Sequence, residues 1–336
     1  MEALLARTFS KTAGLLAVAI LFVLLFLSSI AFGQTPISPT TVMDAFIRYD
    51  PASTDHIIIT TTRVSRAVIA AVIGSSLAVA GAFMQALTRN PLASPSTFGI
   101  NAGAMFCIVL SVTFFSVTSL EHYMWIAFLG AGLAAVLVYF LGSLGNDGLS
   151  PIKIVLAGAA ISALFSSFTQ GMLVLSEQNL ESVLFWLAGS VSGRTLDMLE
   201  PLWPVMAGAG IAAFWLGGSV NLLALGDDIA KGLGQRTILV KTLMALIVVV
   251  LAGGSVAIGG SIGFIGLIVP HMVRSLVGTD HRWIVPYCAF MGAGLLLLAD
   301  IAARFVIMPR EMPIGVMTAL FGAPFFIYLA RKGVHK

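Results

Sequence analysis

The clearest candidate for chemistry in this sequence is a charged pair within an apolar segment. Asp300 lies well inside a charge-poor run, and Arg304 follows it four residues later. Ionisable residues at membrane depth are functional candidates by default, and side chains four residues apart meet on one face of a helix. Asp300 could therefore serve ion-coupled transport, or it could neutralise and orient Arg304 near the outer interface. We favour the second interpretation, because an ion-coupled pump usually has several such carboxylates.

A second basic pair lies at the outer end of a predicted helix. Arg63 and Arg66 are three residues apart, so they share one helix face, on a side of the protein that is otherwise rich in acidic residues. One explanation is that both side chains extend from the helix end to the membrane interface. The alternative is a docking point for carboxylates of an extracytoplasmic partner, since arginine presents forked donors that match a carboxylate.

Enzyme motifs are weak or absent. Residues 259–263 match G-x-S-x-G with Ser261 at its centre, but a nucleophile elbow needs a strand-to-helix turn and a His/Asp pair. Here the motif lies between two apolar helices, so we interpret it as a glycine turn. No lysine follows a glycine, which excludes a Gly-Lys-Ser/Thr phosphate-binding loop. The five histidines lack metal-ligand spacing, and Cys107 and Cys288 lie in apolar runs.

The elements that position these residues are membrane-spanning helices. Of the 336 residues, 58% are hydrophobic and 10% are charged, and the mean hydropathy is +1.01. Soluble domains carry about 25% charged residues, so a soluble enzyme and a disordered chain are both excluded. A spanning helix needs about 20 apolar residues. Charge-free runs of that length predict ten spans: 12–32, 67–88, 98–117, 123–143, 154–175, 201–221, two within 241–274 divided near 257–261, 282–305, and 311–331.

The first predicted span could also be a cleaved signal peptide. Its apolar core of about 20 residues exceeds the roughly 7–15 residues of secretory signals, so we predict a retained helix. Ten spans place both termini on one side of the membrane. Of the 18 Lys and Arg residues, 12 then lie on the side of the termini and 6 on the other. Cytoplasmic loops carry the excess of basic residues, so we predict that both termini are cytoplasmic.

The cytoplasmic loop after the sixth span contains a short amphipathic segment. Asp227 and Asp228 suit the first turn of a helix, Ile229 and Leu233 give it a small apolar face, and Gly232 and Gly234 would end or divide it. Any interfacial linker could have this pattern. A helix of this kind would also suit a groove in a cytoplasmic partner.

Four long blocks of sequence give the chain a recognisable resemblance. They follow the RVSR motif at 63–66 and occupy residues 74–104, 225–236, 259–282 and 299–329. Together, and in this order, they resemble the permeases of the iron–siderophore and cobalamin ABC importer family over nearly the whole chain. One departure is Ser65, where the family pattern usually has a proline, so the local helix start could differ.

The resemblance implies an all-α integral membrane protein of ten transmembrane helices, a type II ABC importer permease forming a single domain over 1–336. It implies a coupling helix near 226–236 that docks on a separate ATPase, and it implies binding-protein docking by Arg63, Arg66 and Arg304. We assign structural or orienting roles to further residues of the matching blocks. The coupling residues are Gly226, Asp227, Asp228, Ala230, Gly232, Leu233 and Gly234, and the structural ones are Asp300, Arg89, Asn90, Pro91, Pro270 and His271.

The expected partners follow from the same resemblance. They are two cytoplasmic ATP-binding subunits, a second permease subunit that is identical or paralogous, an extracytoplasmic substrate-binding protein or lipoprotein, and the lipid bilayer, with no nucleic acid. ATP and Mg²⁺ would be used by the partner ATPase, and no cofactor or metal by this chain. The expected location is the cytoplasmic membrane of a bacterium, and the expected cargo is a ferric siderophore. Alternatives are cobalamin or haem on the same architecture, an ion-coupled secondary transporter, and an intramembrane serine hydrolase.

Overall fold

The computed structural model describes residues 4–5, 8–115, 117, 119–144, 150–175, 186 and 188–333. Within these residues the chain is helical, with no strand. Six charged residues lie outside the described part. They are Glu2, Arg7, Asp147, Glu177, Glu181 and Lys336.

Seven helices are long and apolar enough to cross a membrane. Three shorter apolar helices accompany them, so ten apolar helices in the described residues occupy the positions of the ten predicted spans. In chain order the helices are α1 Thr8–Ala31, α2 Pro39–Ile47, α3 Thr54–Ile57, α4 Val64–Thr88, α5 Ile100–Phe115, α6 Leu120–Ser143, α7 Pro151–Leu175, α8 Leu196–Leu199, α9 Trp203–Ala224, α10 Asp227–Gly232, α11 Thr237–Gly259, α12 Ile265–Val277, α13 His281–Phe305 and α14 Ile314–Gly333.

The helix that carries the outer arginine pair begins earlier than predicted. A π-helical turn, Ile58–Arg63, joins α3 to α4, so the helix runs unbroken from Thr54 to Thr88. Ser65, unlike a proline, keeps the backbone N–H that a helix needs for its hydrogen bonds. The helix ends at Arg89, which adopts a left-handed conformation with φ of 51°.

The α4 helix is at the centre of the fold. Most of its residues are buried, and it packs against α11, α12 and α13. Two glycine contacts allow this approach: Gly74 meets Gly292 of α13, and a Cβ on Gly81 would lie 1.9 Å from the carbonyl oxygen of Gly266 in α12. Small residues at such crossings let helix backbones pack closely in lipid, where packing drives association. A second group, α5, α6 and α7, packs together, and α5 and α6 contact α11.

The α12 helix is too short to span the membrane alone. Its 13 residues extend about 20 Å at 1.5 Å per residue, against a hydrocarbon core of about 30 Å. Residues 260–264 before it are irregular, slightly later than the predicted break at 257–261. Such backbone is tolerated at membrane depth only when protein or water satisfies it. Here Ser190 donates its backbone N–H to the carbonyl of Gly259 at 2.8 Å.

The two ends of α4 mark two ends of the bundle. Arg66 and Arg89 are 23 positions apart on this helix, which corresponds to about 34 Å. We call the end that contains Arg63, Arg66 and Arg304 the arginine end, and the opposite end, which contains α10, the α10 end.

Candidate functional site

A polar groove runs between α5, α7 and the irregular link from α11 to α12. Its volume is about 430 Å³. Asn101 of α5 donates through Nδ2 to Oγ of Ser261 at 3.0 Å, which joins the two walls. No charged side chain of the described residues lines it. The polar lining residues are Ser96, Asn101, Ser162, Ser166, Thr169, Gln170 and Ser261.

The α7 wall of this groove presents polar groups at helical spacing. Ser162, Ser166 and Gln170 are four residues apart in turn, so they lie on one face, and Gln170 is exposed. A polar side chain in a membrane span usually faces the protein interior or a water-filled cavity. This face of α7 therefore belongs against water or another protein rather than lipid.

The hydrolase alternative finds no support at Ser261. Its hydroxyl accepts a hydrogen bond from Asn101, and no histidine of the described residues contacts it or lines the groove. A serine nucleophile needs an adjacent general base. Likewise, no group of three or more His, Cys, Asp and Glu among the described residues is arranged to hold a metal ion.

The amphipathic segment forms the short helix α10, as its sequence predicts. Asp227 and Asp228 occupy the first turn, and the helix ends at Gly232. Gly226 and Gly234 adopt φ angles of 120° and 82°, which favour glycine. Ala230 is fully buried. The apolar residues Leu225, Ile229 and Leu233 remain exposed at this end of the bundle.

Asp227 anchors α10 to the long helices. Its carboxylate accepts a hydrogen bond from Arg89 Nη2 at 2.6 Å and another from Lys241 Nζ. Partial burial acts to raise the pKa of Asp227, but the Lys241 hydrogen bond and the charges of Lys241 and Arg89 outweigh it, so the pKa is lowered. The α10 position is therefore coupled to the ends of α4 and α11.

The structure also gives contacts for the other residues to which the sequence analysis assigns a structural role. Asn90 caps the turn after α4, with its side-chain oxygen 2.9 Å from the backbone N of Leu92, and the chain then turns at Pro91. Pro270 is buried inside α12. The ring of His271 meets Phe325 of α14 edge-on at 6.1 Å. These contacts assign no chemistry to His271, and the structural roles of these residues stay predictions.

At the arginine end, Asp300 and Arg304 form a salt bridge, as their spacing predicts. Asp300 also accepts a hydrogen bond from Arg66 Nε at 2.8 Å, and Arg66 pairs with Glu311 at 2.7 Å. Asp300 is fully buried. We call Arg66, Asp300, Arg304 and Glu311 the ion cluster.

Two arginines also donate hydrogen bonds to the backbone carbonyls at the end of α1. Arg304 donates to the carbonyls of Ser29 and Phe32 at 2.7 and 2.8 Å. Arg63 donates to the carbonyls of Ile30 and Ala31 at 3.0 and 2.7 Å. The last carbonyls of a helix lack partners within it and carry partial negative charge, so cations stabilise them.

Sequence comparisons identify the family. A model of the FecCD transport family matches residues 20–332. The chain belongs to the FecCD transport family. It is 52% identical to the probable siderophore transport system permease protein YfiZ of Bacillus subtilis, covering 94% of this chain and 95% of the relative. It is 41% identical to the ferric enterobactin transport system permease protein FepD of Escherichia coli, covering 90% of each.

A solved structure confirms the fold of this FecCD-family chain. An inward-facing metal-chelate type ABC transporter superposes with a TM-score of 0.84 at 30% identity, covering 96% of this chain and 99% of the other. The predicted family and the all-helical permease fold are thus confirmed.

The three arginines at the arginine end are not the free basic groups that the sequence predicts. Arg63, Arg66 and Arg304 are all at least nine-tenths buried, and each guanidinium bonds within the chain. Sequence reasoning missed these bonds because most of the acceptors are backbone carbonyls about 30 residues away or more. It also missed the groove, because gaps between charged residues do not reveal uncharged polar groups. The available signal was the four-residue spacing of Ser162, Ser166 and Gln170.

Proposed function

We propose that this chain is the membrane subunit of an ATP-binding-cassette importer that moves a ferric siderophore across the bacterial cytoplasmic membrane. The observation that carries the proposal is the uncharged polar groove on the exposed face of α7. Family membership supports transport, and the printed names of the relatives include siderophore, iron-hydroxamate and Fe³⁺-citrate permeases. Cobalamin or haem on the same architecture is the alternative cargo.

The chemistry of the groove suits a chelate better than a bare cation. Hydroxyl and amide groups can hydrogen-bond to the outer oxygens of an organic ligand that already surrounds the metal. A bare Fe³⁺ would need several oxygen ligands or counter-charges in place of its water, and the described residues that line the groove include no carboxylate. An ion-coupled carrier would also need titratable groups along the path, whereas Asp300 is fully occupied by two arginines.

The groove makes this chain one half of a path. Because Gln170 is exposed on α7 at the edge of the groove, a second permease subunit facing this helix would enclose the groove. The two subunits would expose the path alternately to the two sides of the membrane. ATP and Mg²⁺ would be bound and used by two separate ATPase subunits, so this chain would be non-catalytic.

The α10 end would be the cytoplasmic end. The excess of Lys and Arg predicted on the side of both termini supports this orientation. Leu225, Ile229 and Leu233 would dock in a groove of the ATPase, and the Asp227 contacts to Arg89 and Lys241 would pass its motion to α4 and α11. Those two helices lie next to each other along the core.

The arginine end would receive the substrate-binding protein. Arg66 already holds Glu311, whose side chain is about a quarter exposed at 27%. A partner carboxylate would therefore have to replace Glu311 on Arg66, or replace helix carbonyls on Arg63 or Arg304. Docking at these positions is thus an exchange of acceptors rather than a contact with free arginines.

A pair of adjacent serines tests the role of the groove. Ser166 lines the groove, and Ser167 is exposed on α7 outside its lining. In proteoliposomes containing the complete importer and internal ATP, Ser166→Leu should lower ferric siderophore uptake by about tenfold, the value of roughly one buried hydrogen bond with its desolvation. Ser167→Leu should change uptake much less. Equal effects of the two variants would contradict the assignment of the groove.

A further inference from the structure

A second groove opens between α9 and α13, and we call it the apolar groove. Its volume is about 310 Å³, and none of its lining residues lines the polar groove. Helices α9 and α13 form its walls, and the buried helix α4 forms its base. Except for Ser75, Ser76 and Trp203, the side chains that line it are purely apolar. Trp203 and Phe214 are exposed, so the apolar groove is open at the surface of the bundle.

The helix that forms one wall of the apolar groove faces lipid. In the most apolar stretch of α9, 22% of the residues are buried. Ile211 and Trp215, which follow Gly210 and Phe214 of the wall, are exposed. Exposed apolar side chains of a spanning helix contact the hydrocarbon core of the bilayer. The apolar groove is therefore continuous with a surface that contacts acyl chains.

An unpaired cation lies one helical turn beyond the apolar groove. The Arg282 side chain is exposed, and within the described residues its guanidinium forms no hydrogen bond or ion pair. A Cβ on Gly218 of α9 would lie 3.1 Å from Arg282 Nη2, so the guanidinium lies against α9, across from its own helix. It is therefore placed between the two walls with its donors unused.

The spacing along both helices joins this cation to the apolar groove. On α13, Arg282, Pro286 and Phe290 are four residues apart in turn, and on α9 Gly218 is four residues from Phe214. Residues at this spacing lie on one face of a helix. Pro286, Phe290 and Phe214 line the apolar groove. Arg282 and Gly218 therefore extend the same two walls by one turn, about 5 Å, toward the α10 end.

The neighbouring acid does not pair with the Arg282 guanidinium. Asp280 instead caps α13, because its Oδ1 accepts hydrogen bonds from Asn221 Nδ2 and from the backbone N–H of Arg282. Arginine presents a planar fork of donors that matches two oxygens of a phosphate. The fork of Arg282 is therefore open to an anionic ligand.

We propose that the apolar groove and Arg282 together bind an anionic phospholipid, with an acyl chain in the groove and the phosphate on the guanidinium. Arg282 is in the first turn of α13, where the span begins, and Trp283 beside it is of a type enriched at the membrane–water interface. The cation is thus at headgroup depth, and the apolar groove is at acyl-chain depth. Basic pockets between membrane helices recognise anionic headgroups in this way. A carboxylate of a protein partner would satisfy Arg282 but leave the apolar groove empty.

Native mass spectrometry of the complete importer, delipidated in detergent, tests the proposal. The probes are phosphatidylglycerol and phosphatidylcholine with the same acyl chains, so they differ in their headgroups alone. The wild-type importer should bind phosphatidylglycerol about fivefold more tightly, the value of one basic residue near an anionic lipid surface. Arg282→Gln should reduce this preference to less than about twofold. Lys231→Gln is the control, because it removes the same charge from an exposed side chain at the α10 end, and it should leave the preference unchanged.

A matched pair of glycines on α9 tests the apolar groove itself. No atom lies within 4 Å of a Cβ added at Gly210 or at Gly208, and of these two residues Gly210 alone lines the apolar groove. Gly210→Phe should fill it and weaken binding of both lipids by at least about fivefold, since overfilling a packed site is unfavourable. Gly208→Phe should leave both affinities within about twofold. Phenylalanine favours a helix more than glycine does, so both variants should fold.

Four results would overturn the proposal. They are equal affinity of the wild-type importer for the two lipids, an unchanged preference in Arg282→Gln, equal effects of Gly210→Phe and Gly208→Phe, and loss of permease–permease association with unchanged lipid binding in Gly210→Phe. The last result would show that the second permease subunit covers the apolar groove. None of these measurements requires transport, so this site goes beyond the proposed function and does not depend on the cargo.

Discussion

At the scale of single residues, Asp300 is the link that joins two helices to the end of a third. It bonds to Arg66 of α4 and to Arg304 of its own helix, and Arg304 continues to the carbonyls at the end of α1. The Asp300–Arg304 contact could be predicted from the four-residue spacing. The contact with Arg66 could not, because it joins residues 234 positions apart, and only the folded helices bring them together.

Removal of the Asp300 charge should destabilise the permease strongly. Asp300→Asn leaves Arg66 and Arg304 without their shared counter-charge in a buried site, and loss of one partner of a buried pair costs about 3–5 kcal/mol. Thermal unfolding in detergent should show a clear drop in midpoint. Glu121→Gln, an exposed acid at the start of α6, is the control and should have little effect. A similar midpoint for both variants would show that the ion cluster is not a stabilising link.

At the scale of elements, the sequence predicts α10 well because its limits are local. Glycines at 226 and 234 adopt backbone angles that favour glycine, and two aspartates start the helix. The start of α12 was less predictable, since residues 260–264 pack against Trp186, Gly189 and Gly315, which are distant in sequence. Local signals therefore define α10, whereas tertiary contacts define the link before α12.

The surface of α10 should control attachment of the ATPase. No atom would lie within 4 Å of a Cβ added at Gly232, so Gly232→Trp should leave the permease folded while its indole blocks docking. Co-purification of the ATPase should fall at least about tenfold, which corresponds to about 1.4 kcal/mol of lost binding free energy. Gly208→Trp on α9 is the matched control, because Gly208 is also exposed and unobstructed. Normal co-purification and normal ATP-driven uptake with Gly232→Trp would exclude α10 as the coupling element.

Asp227 should hold α10 in place over the whole neutral range of pH. Because its native pKa is lowered, its pairing stabilises fully above the ordinary aspartate pKa of about 4 and is lost only as the pH falls through the lowered value. Hydrogen exchange of the α10 amides, corrected for intrinsic rates, should thus show constant protection from about pH 5 to 8. Asp227→Asn should reduce that protection at every pH in the range, and unchanged protection would contradict the anchoring role.

At the scale of the whole molecule, the distribution of charge predicts most of the architecture. Gaps between charged residues located the ten apolar helices, because lipid excludes unpaired charge over about 30 Å. The groove could not be located in this way, since hydroxyl and amide groups leave no gap in a count of charges. Its assembly needs α5, α7 and the link before α12 side by side, which is a property of the folded chain.

The most direct test of the account asks whether this chain works alone or through an ATPase. Uptake of a ferric siderophore should be measured in proteoliposomes that contain the permease alone, and in others that contain the permeases, the ATPase subunits, internal ATP and the external substrate-binding protein. We expect accumulation in the complete system alone, and its loss when ATP is replaced by a non-hydrolysable analogue. Accumulation against a gradient by the permease without ATPase or nucleotide would contradict the account.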